Sequence, residues 1–268
     1  MAGDVPVGDE PVIDAASAVT DTVPSGAPDP APDPVPDPAR GAPPAVRASL
    51  ALALDTDDLV AALRLAHELR PWFGVVKIGL ELFSATGPDS VARLIDAGFE
   101  VFVDLKMFDI PTTVEKAARV IGSLGATYLT IHARDDGPML RAGVEGFLDG
   151  ADRAGLAVPI PLAVTILTSD PGAPAHVLPR RVALAAQAGC GGIVCAASDL
   201  HEAGLIAPRL RRVVPGIRPV GAALNDQARA ATPKVALREG ADLLVIGRAI
   251  TAAPDHGVAA AALVADIA

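Results

Sequence analysis

The sequence predicts a (β/α)8 barrel preceded by a disordered N-terminal extension. Two observations carry that expectation. From residue 48 onward, eight short apolar runs alternate with longer segments of helical period. The runs are almost continuously hydrophobic, which suits strands covered on both faces, as in a parallel sheet. Alternation over about 220 residues is the pattern of the barrel, with a doubly wound open sheet as the alternative.

The first 46 residues differ in kind. They hold 11 of the chain's 25 prolines, in runs such as APDPAPDPVPDPAR (27–40), and eight acidic side chains against one arginine. Such a segment buries too little apolar surface to offset its ordering entropy. Residues 1–46 are therefore expected to form a disordered tail, partly polyproline II, and residues 47–268 the barrel domain. The tail carries −7 of the net charge of −10, so the barrel is nearly balanced. Acidity overall argues against a nucleic-acid surface, while the balance in the barrel permits a local basic site for a small anion. Without a basic start and apolar core, or any run of roughly 18 apolar residues, the chain is expected to be cytoplasmic with no membrane partner. Cys190 and Cys195, in GCGGIVC, fit neither a CxxC redox motif nor a zinc set and read as buried free thiols.

The strands follow in order. SLALALD (49–55) ends in Asp55, GVVKIG (74–79) carries Lys77 near its end, and EVFVDLK (100–106) ends in Asp104 and Lys106. YLTIHA (128–133) ends in His132, and IPLAVTI (160–166) in Thr165, with Thr168 and Ser169 just beyond. GGIVCAA (191–197), RRVVPG (211–216) and DLLVIG (242–247) complete the eight. Of the helices, TTVEKAARVIGSLG (112–125) shows the period most clearly. Val114, Ala117, Ala118, Ile121 and Leu124 share one stripe, and Gly125 stands where the helix should stop.

In a barrel, active sites lie at the C-terminal ends of the strands, where polar residues recur in this chain. Asp104 and Lys106 are two apart, so the strand period points both inward. A lone buried ion costs several kcal/mol, but opposite charges at about 4 Å and an effective dielectric near 20 attract by roughly 4 kcal/mol. With Asp109 three positions on, the cluster could be a structural ion-pair network or a solvated strand end. Its combination with Lys77 and Asp55 favours a functional site. A second site is expected in PGIRPVGAALNDQARAATP (215–233) and DLLVIGRAIT (242–251), the loops after strands 7 and 8 that commonly hold phosphate in barrels. Glycine permits close backbone approach, helix N-terminal amides point at an anion, and arginine adds a cationic fork. Arg218, Gln227, Gly247 and Arg248 supply these parts.

The order LALD, VKIG, DLKMFDIPTTV, TIHA, VTILTS, PGIRP, DQARAATP and LVIGRAIT, over residues 48 to about 255, resembles the orotidine 5′-phosphate decarboxylase family. The resemblance implies cofactor-independent, metal-free decarboxylation of orotidine 5′-phosphate to UMP, the last step of pyrimidine nucleotide synthesis. It implies that Lys106 donates the proton to C6, that Asp104 sits beside the departing carboxylate, and that Lys77 and Asp109 complete an alternating array. Asp55 and Lys77 would contact the ribose, Thr168 with Ser169 beside it would face the pyrimidine, and Arg218, Gln227, Gly247 and Arg248 would hold the phosphate. Asp109 and Thr113 would reach into the neighbouring subunit's site, making the enzyme a homodimer. Many members have Asn and His where this chain has Thr112 and Phe108, which bears on dimer contacts rather than on the reaction.

Two other readings fit parts of the pattern. Related barrels with DxKxxD use the aspartates around magnesium to handle sugar phosphates, but usually lack a lysine at the position of Lys77. A binding-only barrel would gain nothing from clustering like charges near an anionic ligand.

Overall fold

Burial on both faces makes the strands form a closed parallel barrel in sequence order: β1 (Leu50–Leu54), β2 (Val75–Ile78), β3 (Glu100–Met107), β4 (Tyr128–His132), β5 (Ile160–Val164), β6 (Gly192–Val194), β7 (Arg211–Val214) and β8 (Leu243–Ile246), with β8 returning to β1. The helices are α1 (Pro44–Ala48), α2 (Leu59–Leu69), α3 (Leu80–Thr86), α4 (Pro88–Asp96), α5 (Pro111–Ser123) and α6 (Pro138–Arg153), then α7 (Val177–Gln187), α8 (Leu200–Ile206), α9 (Pro233–Arg238), α10 (Arg248–Thr251) and α11 (His256–Ile267). This computed structural model describes residues 41–134, 137–170, 173–218 and 231–267. The predicted barrel is thus the observed one, each strand falling within its predicted span except for Met107, one residue beyond it.

Strand alternation divides the apolar residues into two layers. Ala51, Ala53, Val75, Phe102, Tyr128, Leu162, Val164, Val194, Val213, Leu243 and Val245 pack inside the barrel. Leu50, Leu52, Leu54, Val76, Ile78, Val101, Val103, Leu129 and Ile131 face the helices instead. Lys77 alternates with Val76 and Ile78 and is only 8% exposed, so the fold turns an ammonium into the barrel one step above Val75. Register sets its neighbours, Ala53 on β1 and Phe102 on β3.

The helix that follows β3 is pinned by unusually close packing. A Cβ placed on Gly146 would lie 2.2 Å from the Glu115 carbonyl oxygen, one on Gly150 2.1 Å from that of Arg119, and one on Gly122 2.2 Å from that of Phe147. The backbones of α5 and α6 therefore touch, a contact only glycine allows. Arg119 reinforces it from α5 by pairing with Asp149 of α6 at 2.6 Å. This contact also revises the predicted stripe of α5. Val114, Ala118, Ile121 and Gly122 are buried, whereas Ala117 is exposed and Leu124 only partly covered, because the buried face is centred where α6 approaches. Gly125, at φ 91°, ends the helix as expected.

Before β1, α1 crosses the domain boundary expected at residue 46. Proline at its first position suits a helix start, Ala42 N–H donates to the Pro71 carbonyl at 2.9 Å, and Arg47 Nε donates to the Arg70 carbonyl at 2.8 Å. Residues 1–40, most of the expected tail, lie outside the described residues. Cys190 and Cys195 are buried free thiols, and burial pushes the Cys190 thiol up to about 12.

Because rigid carbonyls, not flexible side chains, face Gly150, replacement of Gly150 by Ala should lower the stability of the barrel by roughly 1–3 kcal/mol. Urea unfolding followed by circular dichroism measures it; an unchanged midpoint would mean the two helices part at no cost.

Candidate active site

Four charged side chains of alternating sign line up at the C-terminal mouth of the barrel. Lys77 Nζ lies 3.2 Å from Asp55 Oδ1 and 3.9 Å from Asp104 Oδ2, and Lys106 Nζ lies 2.8 Å from that same Asp104 oxygen. Burial grades along the line. The side chains of Lys77 and Asp104 are 10% and 13% exposed, Lys106 34% and Asp55 57%. The two innermost ions thus face each other's opposite charge where water is scarce, while the outer two are partly hydrated.

Simple alternation does not bring Lys106 there. Between the aligned pairs Val103↔Leu129 and Met107↔Ile131, β3 has three residues and β4 one, so the strand bulges. Lys106 sits in that bulge at φ 50°, the sole non-glycine residue with positive φ among those described. Such a conformation costs a side-chain-bearing residue about 1–3 kcal/mol. Both side chains do reach the barrel mouth, but through the bulge rather than through the period of two.

Two cavities, each about 180 Å³, open beside the charges. One is lined by Lys77, Asp104, Lys106 and Thr168 with an apolar bed that includes Phe102, Val164 and Ile166. The other is lined by Asp55, Lys77, Gly216, Arg218, Gly247 and Arg248. Lys77, Pro215 and Val245 belong to both and form the wall between them. An ammonium-carboxylate line flanked by an apolar chamber and a two-arginine chamber suits a ligand with a flat ring at one end and an anion at the other.

A profile of the orotidine 5′-phosphate decarboxylase / HUMPS family matches residues 48–263. The chain belongs to this family. Orotidine 5′-phosphate decarboxylase of Anaeromyxobacter dehalogenans is 43% identical over 226 residues, covering 80% of the chain and 96% of that protein. The Thermobifida fusca decarboxylase is 43% identical over 233 residues, with 82% and 96% covered. Among solved structures, orotidine 5′-phosphate decarboxylase from Lactobacillus acidophilus superposes with a TM-score of 0.70 at 32% identity, covering 81% of the chain and 98% of that structure.

Of the residues expected to act in this decarboxylase-family site, Lys77, Asp104, Lys106, Asp55, Thr168, Arg218, Gly247 and Arg248 converge on the two cavities. Asp109 and Thr113 line neither. Both are exposed, Asp109 on the β3–α5 connection and Thr113 in the first turn of α5; Asp109 Oδ1 accepts from the Ile110 N–H at 2.6 Å, and Asp109 makes no ion pair among the described residues. Gln227 lies outside the described residues. Ser169 is exposed and lines neither cavity, and the Thr165 hydroxyl is taken by the Val194 carbonyl at 2.8 Å. Sequence reasoning missed the apolar bed, because residues such as Phe102 and Val164 look like any other strand residue.

His132, on β4 of this family member, packs edge-on against Phe108, and its Nδ1 is buried with no hydrogen-bond partner among the described residues. Burial pulls its imidazole below the usual value of 6.5; Arg134, Lys106 and Arg181 act in the same direction and Asp104 opposes them. A neutral histidine in the fold that can protonate once unfolded supports stability above about pH 6.5, and that support is lost as the pH falls below it. Wild type should therefore lose more melting temperature than His132→Asn between about pH 8 and about pH 5.5. Parallel losses in thermal melts would show that the ring titrates as freely folded as unfolded.

Proposed function

We propose that this chain decarboxylates orotidine 5′-phosphate to UMP and CO2, completing UMP synthesis without metal or organic cofactor. The observation that carries the reading is the line Asp55–Lys77–Asp104–Lys106 standing between an apolar chamber and an arginine-lined one. The substrate's phosphate binds Arg218, Gln227 and Arg248 beside Gly247, while the ribose meets Asp55 and Lys77. The pyrimidine enters the apolar chamber against Thr168, its C6 carboxylate beside Asp104.

The bond from C6 to the carboxylate then breaks, and its electron pair stays on C6 in an orbital that the ring's π system cannot delocalise. Fixed positive charge at C6 stabilises that developing anion more than it does the substrate. The Lys106 ammonium supplies the charge and then its proton, giving UMP and a neutral amine that solvent reprotonates. Asp104, 2.8 Å from Lys106 Nζ, aims the donor. Anion binding at the far chamber holds the ring against it.

Asp109 and Thr113, exposed here, extend into the site of a second copy, so the active species is a cytoplasmic homodimer that engages neither nucleic acid nor membrane. No helix among the described residues is long and apolar enough to cross a membrane. The barrel domain, residues 47–268, carries every group named, and the preceding tail none. Lys77 separates this reading from magnesium-dependent sugar-phosphate chemistry, because its ammonium fills the space between Asp55 and Asp104 that a cation would need.

The ultraviolet absorbance of orotidine 5′-phosphate should decay to that of UMP with purified protein in EDTA, and Lys106→Ala should abolish the decay while leaving nucleotide binding intact. A folded wild type that leaves the substrate untouched would redirect attention to sugar phosphates with Mg2+. Mixed Lys106→Ala and Asp109→Ala proteins, each inactive, should regain roughly a quarter of wild-type activity, because random exchange makes half the dimers hybrids with one intact site of two. No recovery despite proven subunit exchange would count against a shared site.

A further inference from the structure

Resting on that reading and deepening it, we infer that Thr130 is a positioning residue that pre-sets the Lys106 ammonium for proton transfer. Thr130 occupies the inward position of β4 between Tyr128 and His132, is fully buried and lines neither cavity. Its hydroxyl oxygen lies 2.9 Å from the backbone nitrogen of Lys106 and 3.0 Å from Asp104 Oδ1. An amide N–H can only donate and an ionised carboxylate can only accept. The hydroxyl therefore accepts from Lys106 and donates its one proton to Asp104, so both ends of the bridge are determined.

This bridge accounts for two features of β3. The Val101 carbonyl accepts from the Thr127 N–H, so strict alternation along β3 would turn the Lys106 N–H away from β4; where β3 bulges, that N–H meets the Thr130 side chain instead, and lysine is held at φ 50°. At the same time, Thr130 occupies Oδ1 of Asp104 and leaves Oδ2 turned to the two ammonium groups, Lys106 at 2.8 Å and Lys77 at 3.9 Å. A single hydroxyl fixes both the backbone from which Lys106 springs and the carboxylate that aims its Nζ. Because Thr130 touches no space a ligand would fill, its effect belongs to the chemical step and not to binding.

Thr130→Val keeps the shape and removes the bridge, whereas Thr130→Ser keeps the bridge. Thr130→Val should lower kcat for orotidine 5′-phosphate by about 10–100-fold with KM and UMP affinity within about 3-fold of wild type, and Thr130→Ser should recover most of kcat. A valine variant with wild-type kcat, or a serine variant as slow as valine, would overturn the inference. So would a loss confined to KM. If the valine variant does not fold, the same comparison is made between Thr130→Ala and Thr130→Ser, and equal kcat values overturn it. Inactive wild type would instead defeat the decarboxylase reading. Crystal structures then decide the positioning role alone: without the hydroxyl, Lys106 should leave positive φ and Nζ should leave Asp104, and a retained 2.8 Å contact at φ near 50° would refute it.

Discussion

The barrel mouth depends on one carboxylate. Asp104 is nearly buried, and its Oδ2 faces two ammonium groups that would repel each other without it. Remove its charge and Lys77, buried beside Ala53 and Phe102, keeps only the largely exposed Asp55 as a counter-charge, while Lys106 loses its carboxylate partner. Keep it, and the alternating charges become tolerable as a set where the two innermost, Lys77 and Asp104, would not be alone. The rest of the architecture serves to hold that set still. The strands fix Lys77 from one side, the bulge brings Lys106 from the other, and the α5–α6 contact anchors the helix that leaves the bulged strand.

The division between the two chambers matches two kinds of physical work. An anion is gripped by arginines and close-approaching backbone, which suits loops at the ends of β7 and β8. A flat ring needs an apolar bed, which the inward faces of β3, β5 and β6 already provide as the top of the core. The line of four charges sits between, so binding at one end can be expressed as orientation at the other.

Much of this was legible in the sequence, and what was not has identifiable causes. The strands announced themselves because doubly covered strands are continuously apolar, and Lys77, Asp55 and Asp104 stood out as charges interrupting such runs. The glycine and arginine residues that follow β7 and β8 were readable because their chemistry departs from that of a core. The bulge was not readable: DLK looks like ordinary alternation, and only the pairing with β4 reveals the extra residues in β3. Ala117 misled because, of two adjacent alanines at the edge of an apolar stripe, the period alone does not say which one the neighbouring helix will cover. Thr130 carried no signal at all, since a threonine in a strand is unremarkable until its hydroxyl is seen to satisfy a backbone amide and a carboxylate at once.

The wall shared by the two chambers has one more consequence. Val245 is locked to Ala51 by the β8–β1 register, and Lys77 to Ala53 by the β1–β2 register, so the spacing between chambers is set by adjacent rungs of the sheet. The molecule works as a fixed gauge. Loops on the mouth can lengthen, shorten or change composition over evolutionary time while the gauge keeps its calibration, and a drift in ligand length would require reshaping the barrel itself.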